Sequence, residues 1–158
     1  MNNASTLYRN HKDKLFADLM RMTGDYHLSG DIMQESFTRY FEHYGQEDTP
    51  SLLYTIARNT FFDHIRREKR SSLVESRQDE SYVDHERVLI VRDEYRRVLS
   101  ALQRLEEDER DILSLILSSD LSYREIAAIA GISEANVKVK VHRARVKLKK
   151  ILEGDENE

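Results

Sequence analysis

The sequence contains no cysteine, no tryptophan, one proline and five glycines among its 158 residues. Without cysteine there is no disulfide framework, no thiol nucleophile and no cysteine-ligated zinc. No apolar run is long enough for a signal region or a membrane span, so we expect a cytoplasmic protein without direct membrane insertion. Because helix breakers are so few, the remaining stretches of helix-forming residues predict an all-α fold.

Positive charge is concentrated locally, although the formal net charge is −4. Residues 138–150 hold seven Lys or Arg and no acid, and residues 58–70 hold five against two acids. Between them, residues 75–94 carry seven acids against three arginines. The chain therefore has two basic surfaces separated by an acidic segment, a pattern that indicates nucleic-acid binding at two places.

Apolar spacing in the first half of the chain predicts three helices. Two precede Pro50, and the glycine-containing stretch 24–30 interrupts them. The third begins after Pro50, with Ser51 as its N-cap. Residues 71–81 lack apolar periodicity and predict a linker, which is followed by a helix starting near Asp84.

The second half ends in a helix-turn-helix pattern. Ser122 stands three residues before Glu125, which is the spacing of a capping box, and Gly131 ends the short helix. A longer helix then runs from Ser133 to about Leu152, and a helix in this position is normally inserted into the DNA major groove. Two shorter helices are predicted before the pattern, one ending near Leu105 and one over about 108–118.

The last helix combines a buried stripe with an unusual outer side. Its apolar residues from Val137 to Leu148 repeat at spacings of four, three and four, whereas Val139 and Val146 point away from that stripe among Lys and Arg. An outward valine suits contact with a thymine methyl, while the cations bind phosphates or guanine. The alternative is a solvated amphipathic helix. The second basic face is defined by the candidate DNA-contacting residues Lys138, Val139, Lys140, His142, Arg143 and Arg145.

The helix after Pro50 carries a face of different composition. An aromatic ring, a hydroxyl and an amide are interleaved with cations, which suits stacking of unpaired bases, binding of phosphates and reading of a base edge. The alternative is that Phe62 packs against a neighbouring helix and the cations are merely solvated. The first basic face is defined by Thr55, Arg58, Asn59, Phe62, Arg66 and Lys69.

Three stretches together resemble a known family. They are DIMQESFTRYF (31–41), LLYTIARNTFFDHIRREKR (52–70) and LSYREIAAIAGISEANVKVKVHRARVKL (121–148). They look like regions 2 and 4 of the extracytoplasmic-function (ECF) sigma factors, the small bacterial RNA polymerase specificity subunits of the sigma-70 family. The resemblance covers nearly the whole chain. Any one of the motifs alone would be a weak indication, and only their combination points to this family.

The resemblance implies two small helical domains joined by a flexible linker. Region 2 would occupy residues 1–70, the linker 71–96, the region 4 helix-turn-helix 97–153 and an acidic tail 154–158. It further implies binding to the β and β′ subunits of core RNA polymerase and to promoter DNA, with region 2 melting and reading the minus-ten element and region 4 reading the minus-thirty-five element. An anti-sigma factor is a further implied partner. Neither a cofactor nor a small-molecule substrate is implied.

Individual roles follow from the resemblance by position. Asn59 resembles the position that helps to read an extruded minus-ten base, and the second basic face matches the recognition-helix positions. The chain also departs from the family pattern. Leu52 stands where family members often have Trp, the loop before it is short, and Val139 replaces a commonly seen Ser or Thr. The promoter sequences that family members recognise are therefore not assigned to this chain. Three further residues, Asp31, Gln34 and Glu35, resemble the edge that docks on the β′ coiled coil, although a solvated helix face is the alternative; we call them the polar patch.

Other classes of protein remain as alternatives. A helix-turn-helix regulator whose first domain senses a ligand or a partner would explain residues 122–150 equally well, and it would bind duplex DNA without polymerase. An enzyme is disfavoured because the six histidines are scattered without a ligand spacing, and Asp31 with Glu35 has no positioned base, nucleophile or metal partner. We therefore expect no catalytic residue and no metal site. A purely structural adaptor would need no basic recognition face.

Overall fold

A computed structural model of the chain describes residues 3–45, 47–72, 93–118 and 121–156. Within these ranges all regular structure is helical, which confirms the all-α prediction. The helix expected from Asp84 and most of the expected linker lie outside the described residues. The helices within the described ranges are α1 (Asn3–Thr23), α2 (Tyr26–Tyr44), α3 (Pro50–Ser72), α4 (Asp93–Gln103), α5 (Glu107–Leu117), α6 (Tyr123–Ala130) and α7 (Glu134–Glu156).

The junction between α1 and α2 is shorter than the sequence indicated. Gly24 takes a positive φ of 66°, and Asp25 caps α2 by accepting a hydrogen bond from the Leu28 N–H at 3.1 Å. Gly30 lies inside α2, where nothing crowds its Cα. The prediction that 24–30 interrupts the two helices is therefore wrong after Asp25, because the cap starts the helix before Gly30 is reached.

The start of α3 also differs from the prediction. Pro50 is the first helical residue, and the N–H groups of Leu52 and Leu53 donate to the carbonyl of Thr49 at 3.1 and 3.3 Å. Proline is favoured at this position because its missing N–H needs no partner in the first turn. Ser51 therefore lies inside the helix, and its assignment as the N-cap is wrong.

The first half of the chain is a three-helix unit in which α2 packs against both α1 and α3. Its core contains the fully buried side chains of Leu15, Leu19, Tyr40, Leu53 and Tyr54. Burial of each large apolar side chain contributes roughly 1.5–3 kcal/mol to the free energy of folding. This core fixes α3 so that its outer side presents the first basic face.

In the second half, α5 and α6 pack against α7. Val137, Val141 and Ala144 are buried in this contact, which confirms the predicted stripe on the last helix. Val139 and Val146 are 45% and 40% exposed, as their position outside the stripe predicted. The orientation of α7 therefore leaves its basic side accessible.

The turn between α6 and α7 is held by local hydrogen bonds. Ser122 and Glu125 form the predicted capping box, with both reciprocal bonds at 3.1 Å. Gly131 ends α6 in the left-handed conformation, at φ 70°, a backbone geometry that favours glycine. The hydroxyl of Ser133 then accepts from the Asn136 N–H at 3.1 Å and caps α7. The helix-turn-helix prediction is confirmed.

The two halves are in direct contact. The hydrophobic cluster of the first half continues into Ile112 and Leu115 of α5. Arg21 of α1 donates through Nη2 to the carbonyl of Ser114 at 2.9 Å, and Gln103 Nε2 donates to the carbonyl of Arg21 at 2.9 Å. The helices α1 and α3 thus pack against α4, α5 and α6 across a mixed apolar and polar surface.

Candidate nucleic-acid interface

The first basic face lies along α3 and divides into an open and a partly covered set of side chains. The open set includes an amide and two cations, so hydrogen-bond donors reach solvent over about three turns of the helix. The partly covered set includes the aromatic ring and one cation. Asn59, Arg66 and Lys69 are exposed, whereas Thr55, Arg58 and Phe62 are half-buried.

Arg58 connects this face to the second half of the chain. Its guanidinium carbon lies 4.8 Å from the centroid of the Phe62 ring, within the range of a cation–π interaction. Its Nε donates to Oδ2 of Asp111 on α5 at 2.8 Å, and the Asp111 side chain is only 5% exposed. Phe62 also packs against the core, as the packing alternative expected. Arg58 is therefore the residue of the first basic face that is ion-paired to α5.

Two buried carboxyl groups lie at this contact. Burial raises the pKa of Asp111, and the neighbouring Arg58 opposes the increase. Burial also raises the pKa of Asp18 on α1 to about 7, while Arg21 lowers it and the charge of Asp111 adds to the increase. Oδ1 of Asp18 lies 3.7 Å from Nη2 of Arg21. The contact between the halves thus brings two partly exposed arginines close to two buried carboxyl groups.

Side chains of α1 and α2 hold the loop between α2 and α3 in place. The hydroxyl of Tyr40, on α2, donates to the carbonyl of Glu47 and accepts from the Thr49 N–H at 3.0 Å. Nε2 of His11, on α1, lies 3.0 Å from Oδ1 of Asp48. These contacts hold residues 47–49 in a defined conformation up to the start of α3.

The second basic face is more open than the first. Val139 lies among cations on the outer side of α7, in the arrangement that the sequence predicted. Because the helix is fixed by its buried stripe, these side chains lie on the outer side and on both flanks of α7. Lys138, Val139, His142, Arg143 and Arg145 are exposed, and Lys140 is half-buried.

Acidic residues of α5 pair with cations of α7. Nζ of Lys140 donates to Oδ2 of Asp108 at 2.7 Å, and this hydrogen bond lowers the pKa of Asp108. Nζ of Lys147 donates to Oε1 of Glu109 at the same distance. Lys140, which the sequence assigned to DNA contact, is therefore already ion-paired to a neighbouring helix.

Sequence reasoning missed three residues that shape these surfaces: Asp108, Asp111 and Tyr123. Tyr123 is the first residue of α6 and is 38% exposed, and Nζ of Lys138 lies 6.0 Å from its ring centroid. Its position directly after the capping serine, at the start of a helix, is the signal in the sequence that could have identified Tyr123 as a surface residue. The two acids pair with residues 32 and 53 positions away, so no local pattern indicated their contacts.

The polar patch is a compact group on the outside of α2. Its three members are exposed and lie on adjacent turns, as their spacing predicted. Oε1 of Glu35 accepts from Nη2 of Arg39 at 2.6 Å. Beside the patch, between α2 and α3, a cavity of about 90 Å³ is lined by Leu28, Asp31, Ile32, Glu35, Arg39, Thr60, Asp63, His64 and Arg67.

The part of the chain that the structure describes holds neither a cluster of metal ligands nor a helix suited to a membrane. Within residues 3–45, 47–72, 93–118 and 121–156, no three His, Asp or Glu side chains come together as metal ligands. None of the helices in those ranges is both long and apolar enough to cross a bilayer. The surfaces that stand out chemically are therefore the two basic faces and the polar patch.

Comparison with known proteins identifies the family. Residues 7–71 match the family model of sigma-70 region 2, and residues 95–148 match that of sigma-70 region 4. The chain is 30% identical to the ECF RNA polymerase sigma factor SigM of Bacillus subtilis over 148 residues, covering 90% of this chain and 91% of SigM. It is 29% identical to the RNA polymerase sigma factor YlaC of Bacillus subtilis, covering 91% and 88% of the two chains.

A solved structure shares the same arrangement of helices. The sigma factor RpoE from Bartonella quintana, in its complex with the anti-sigma factor NepR, superposes with a TM-score of 0.75. The sequence identity is 22%, and the match covers 94% of this chain and 96% of that chain. The resemblance inferred from the motifs is confirmed: the chain belongs to the ECF RNA polymerase sigma factors of the sigma-70 family.

Proposed function

We propose that this chain directs core RNA polymerase to specific promoters by using its two basic faces on two promoter elements. The observation that carries the proposal is the difference between the faces. The second face lies on the second helix of a helix-turn-helix, whereas the first combines cations with an aromatic ring, a hydroxyl and an amide. One composition suits duplex DNA and the other suits unpaired bases.

The second basic face is proposed to read the minus-thirty-five element. Helix α7 is long enough to enter the major groove, and its buried stripe holds Val139 and the cations on the outer side. Lys138 and Arg145 would bind phosphates along the groove walls, and Arg143 would reach a base edge. Val139 would contact a thymine methyl, since it is an apolar side chain exposed among cations.

The first basic face is proposed to open and read the minus-ten element. Asn59 is exposed on α3 and carries both a donor and an acceptor for a base edge. Arg66 and Lys69 lie further along the helix and would neutralise phosphates of the separated strand. Phe62 offers a half-exposed ring on which a base could stack. Extruding a base costs a few kcal/mol, which these contacts would offset.

The remaining surfaces and segments complete the proposal. The polar patch would dock on the β′ coiled coil, and residues 1–70 and 97–153 would act as separate domains. The chain would act as an initiation factor in the cytoplasm and not as an enzyme. The Bartonella quintana sigma factor was solved with an anti-sigma factor, which supports a similar inhibitory partner here.

Reconstituted transcription tests the proposal. Purified chain and bacterial core polymerase are combined with a library of promoters in which both elements are varied, and start sites are sequenced. We expect initiation at a restricted set of promoters that core polymerase alone does not use. Arg143→Ala should lose preference at one position of the minus-thirty-five element, whereas Lys150→Ala removes an exposed cation of the same helix outside the proposed face and should keep the preference.

The alternative function is a helix-turn-helix regulator that is not a polymerase subunit. It predicts tight, sequence-specific footprints on duplex DNA by the chain alone and no initiation with core polymerase. A sigma factor should instead bind free promoter DNA poorly, because its two reading surfaces take their promoter spacing only on the polymerase. Footprinting of the same promoters with and without core enzyme separates the two functions.

A further inference from the structure

Two acids at the start of α5 neutralise cations on one flank of α7. That flank carries Lys140, Arg143 and Lys147, which lie on successive turns of the helix. Asp108 pairs with Lys140 and Glu109 pairs with Lys147, each with 2.7 Å between nitrogen and oxygen. Arg143, between the two lysines, is exposed. A DNA strand that approaches this flank therefore meets two lysines whose charge is already compensated.

The two ion pairs differ in how deeply the acid is buried. The Glu109 side chain is only 8% exposed, and its Oε2 is buried without a hydrogen bond in the described part of the chain. Removal of Lys147 would leave this buried charge uncompensated, so the pair fastens α7 to α5. The Asp108 side chain is 61% exposed, and its carboxylate can turn into water at little cost. The Asp108–Lys140 pair is therefore the one that a ligand can exchange.

A DNA phosphate fits this exchange. An ammonium group donates the same kind of charge-assisted hydrogen bond to a carboxylate and to a phosphate. Nζ of Lys140 donates to Asp108 on the flank that also presents the exposed Arg143. While Asp108 holds the ammonium the pair is neutral, and a phosphate that replaces the carboxylate leaves it close to the negative DNA. This residual repulsion reduces what Lys140 contributes to binding.

We propose that Asp108 is a built-in counterion of Lys140 that lowers the affinity of the second basic face for DNA of every sequence. The inference rests on the proposed function of that face. It adds a residue that contacts no base and yet sets how strongly the face binds. Sequence preference comes from residues such as Arg143, because a charge offset acts equally on every sequence. At a given polymerase concentration, promoters with poor minus-thirty-five elements are then left unoccupied.

The test measures how tightly core polymerase reconstituted with the full chain binds fluorescent promoter fragments, by anisotropy at several salt concentrations. Asp108→Asn keeps the shape of the side chain and removes its charge. Binding should become roughly 2- to 5-fold tighter, the range that one exposed ion pair supplies. The log–log salt slope should steepen by up to about 0.9, because Lys140 then neutralises one more phosphate. Relative affinities among minus-thirty-five variants should stay the same.

Three further variants separate this effect from changes in total charge or in folding. Glu106→Gln removes an exposed charge just before α5 and should leave the affinity unchanged. In a Lys140→Ala background, Asp108→Asn should no longer tighten binding, because the cation that it frees is gone. Asp108→Ser removes the same charge with a side chain that helix starts accept, and it should give the same gain as Asp108→Asn.

Three results would overturn the inference. Both Asp108 variants bind promoters no more tightly than the parent chain, or Glu106→Gln gives an equal gain, or the preference among minus-thirty-five elements changes. In the last case Asp108 would position α7 instead of offsetting its charge. Failure of the proposed function is distinguishable, because Arg143→Ala would then leave the minus-thirty-five preference intact. If Arg143→Ala removes preference at one position while Asp108→Asn leaves the affinity unchanged, the function stands and only the built-in counterion is wrong.

Discussion

The buried carboxyl group of Asp18 makes the stability of this chain depend on pH in an unusual direction. Its pKa rises from 3.8 to about 7 on folding, mainly because burial disfavours the charged form. The folded state therefore binds the proton more tightly than the unfolded state, and the free energy of unfolding falls as pH rises between these values. Each pH unit in that interval corresponds to about 1.4 kcal/mol, so about 3 kcal/mol should be lost between roughly pH 5 and pH 8.

The substitution Asp18→Asn removes this dependence while keeping the shape of the neutral side chain. The variant should resemble the parent chain near pH 5 and exceed its stability by about 3 kcal/mol near pH 8. Chemical denaturation followed by circular dichroism at both pH values measures the difference. Asp13→Asn, an exposed carboxyl group on the same helix, serves as the control. An equal effect of Asp18→Asn at the two pH values would refute the reasoning.

Three further predictions concern the proposed surfaces. Changing Asp31 and Glu35 together to Ala should weaken binding to core polymerase without loss of helicity, since exposed helix positions tolerate alanine; unchanged affinity would remove both from the interface. Lys138→Ala should weaken promoter use uniformly and lower the salt dependence by about one ion, whereas Arg143→Ala should cost roughly 1–3 kcal/mol at one base pair; identical losses at every sequence would make α7 an electrostatic clamp only. Val139→Ser should alter discrimination at a thymine in a promoter library without changing the salt slope, and a changed slope would contradict the methyl contact.

Local patterns predicted the second half of the chain well. The spacing from Val137 to Leu148 identified the buried side of α7, and Ser122, Glu125 and Gly131 identified both ends of α6. These features depend on interactions between residues less than about two helical turns apart, which a sequence displays directly. The same kind of reasoning failed at Ser51 because Pro50 is itself the first residue of α3, a position that proline favours, so the helix begins before the residue assigned as its cap.

Contacts between distant residues could not be predicted in this way. In the sequence Asp18 is one polar residue of α1, and none of its neighbours in sequence indicates that tertiary packing buries it. Asp111 reads as one acid among several at the start of α5, although its partner lies 53 residues away. The sequence therefore located the two basic faces, whereas the ion pair between Arg58 and α5 is visible only in the tertiary arrangement.

The helix-turn-helix is held together by hydrogen bonds of Ser122 with Glu125 and of Ser133 with Asn136, and none of these residues belongs to the face proposed to contact DNA. The capping box, the left-handed glycine and the second cap all lie on the turn or inside the unit, away from the outer side of α7. Substitutions on that outer side leave these bonds intact. A lineage of such proteins can therefore exchange the residues that face DNA, and acquire new target promoters, without first having to repair the angle between the two helices.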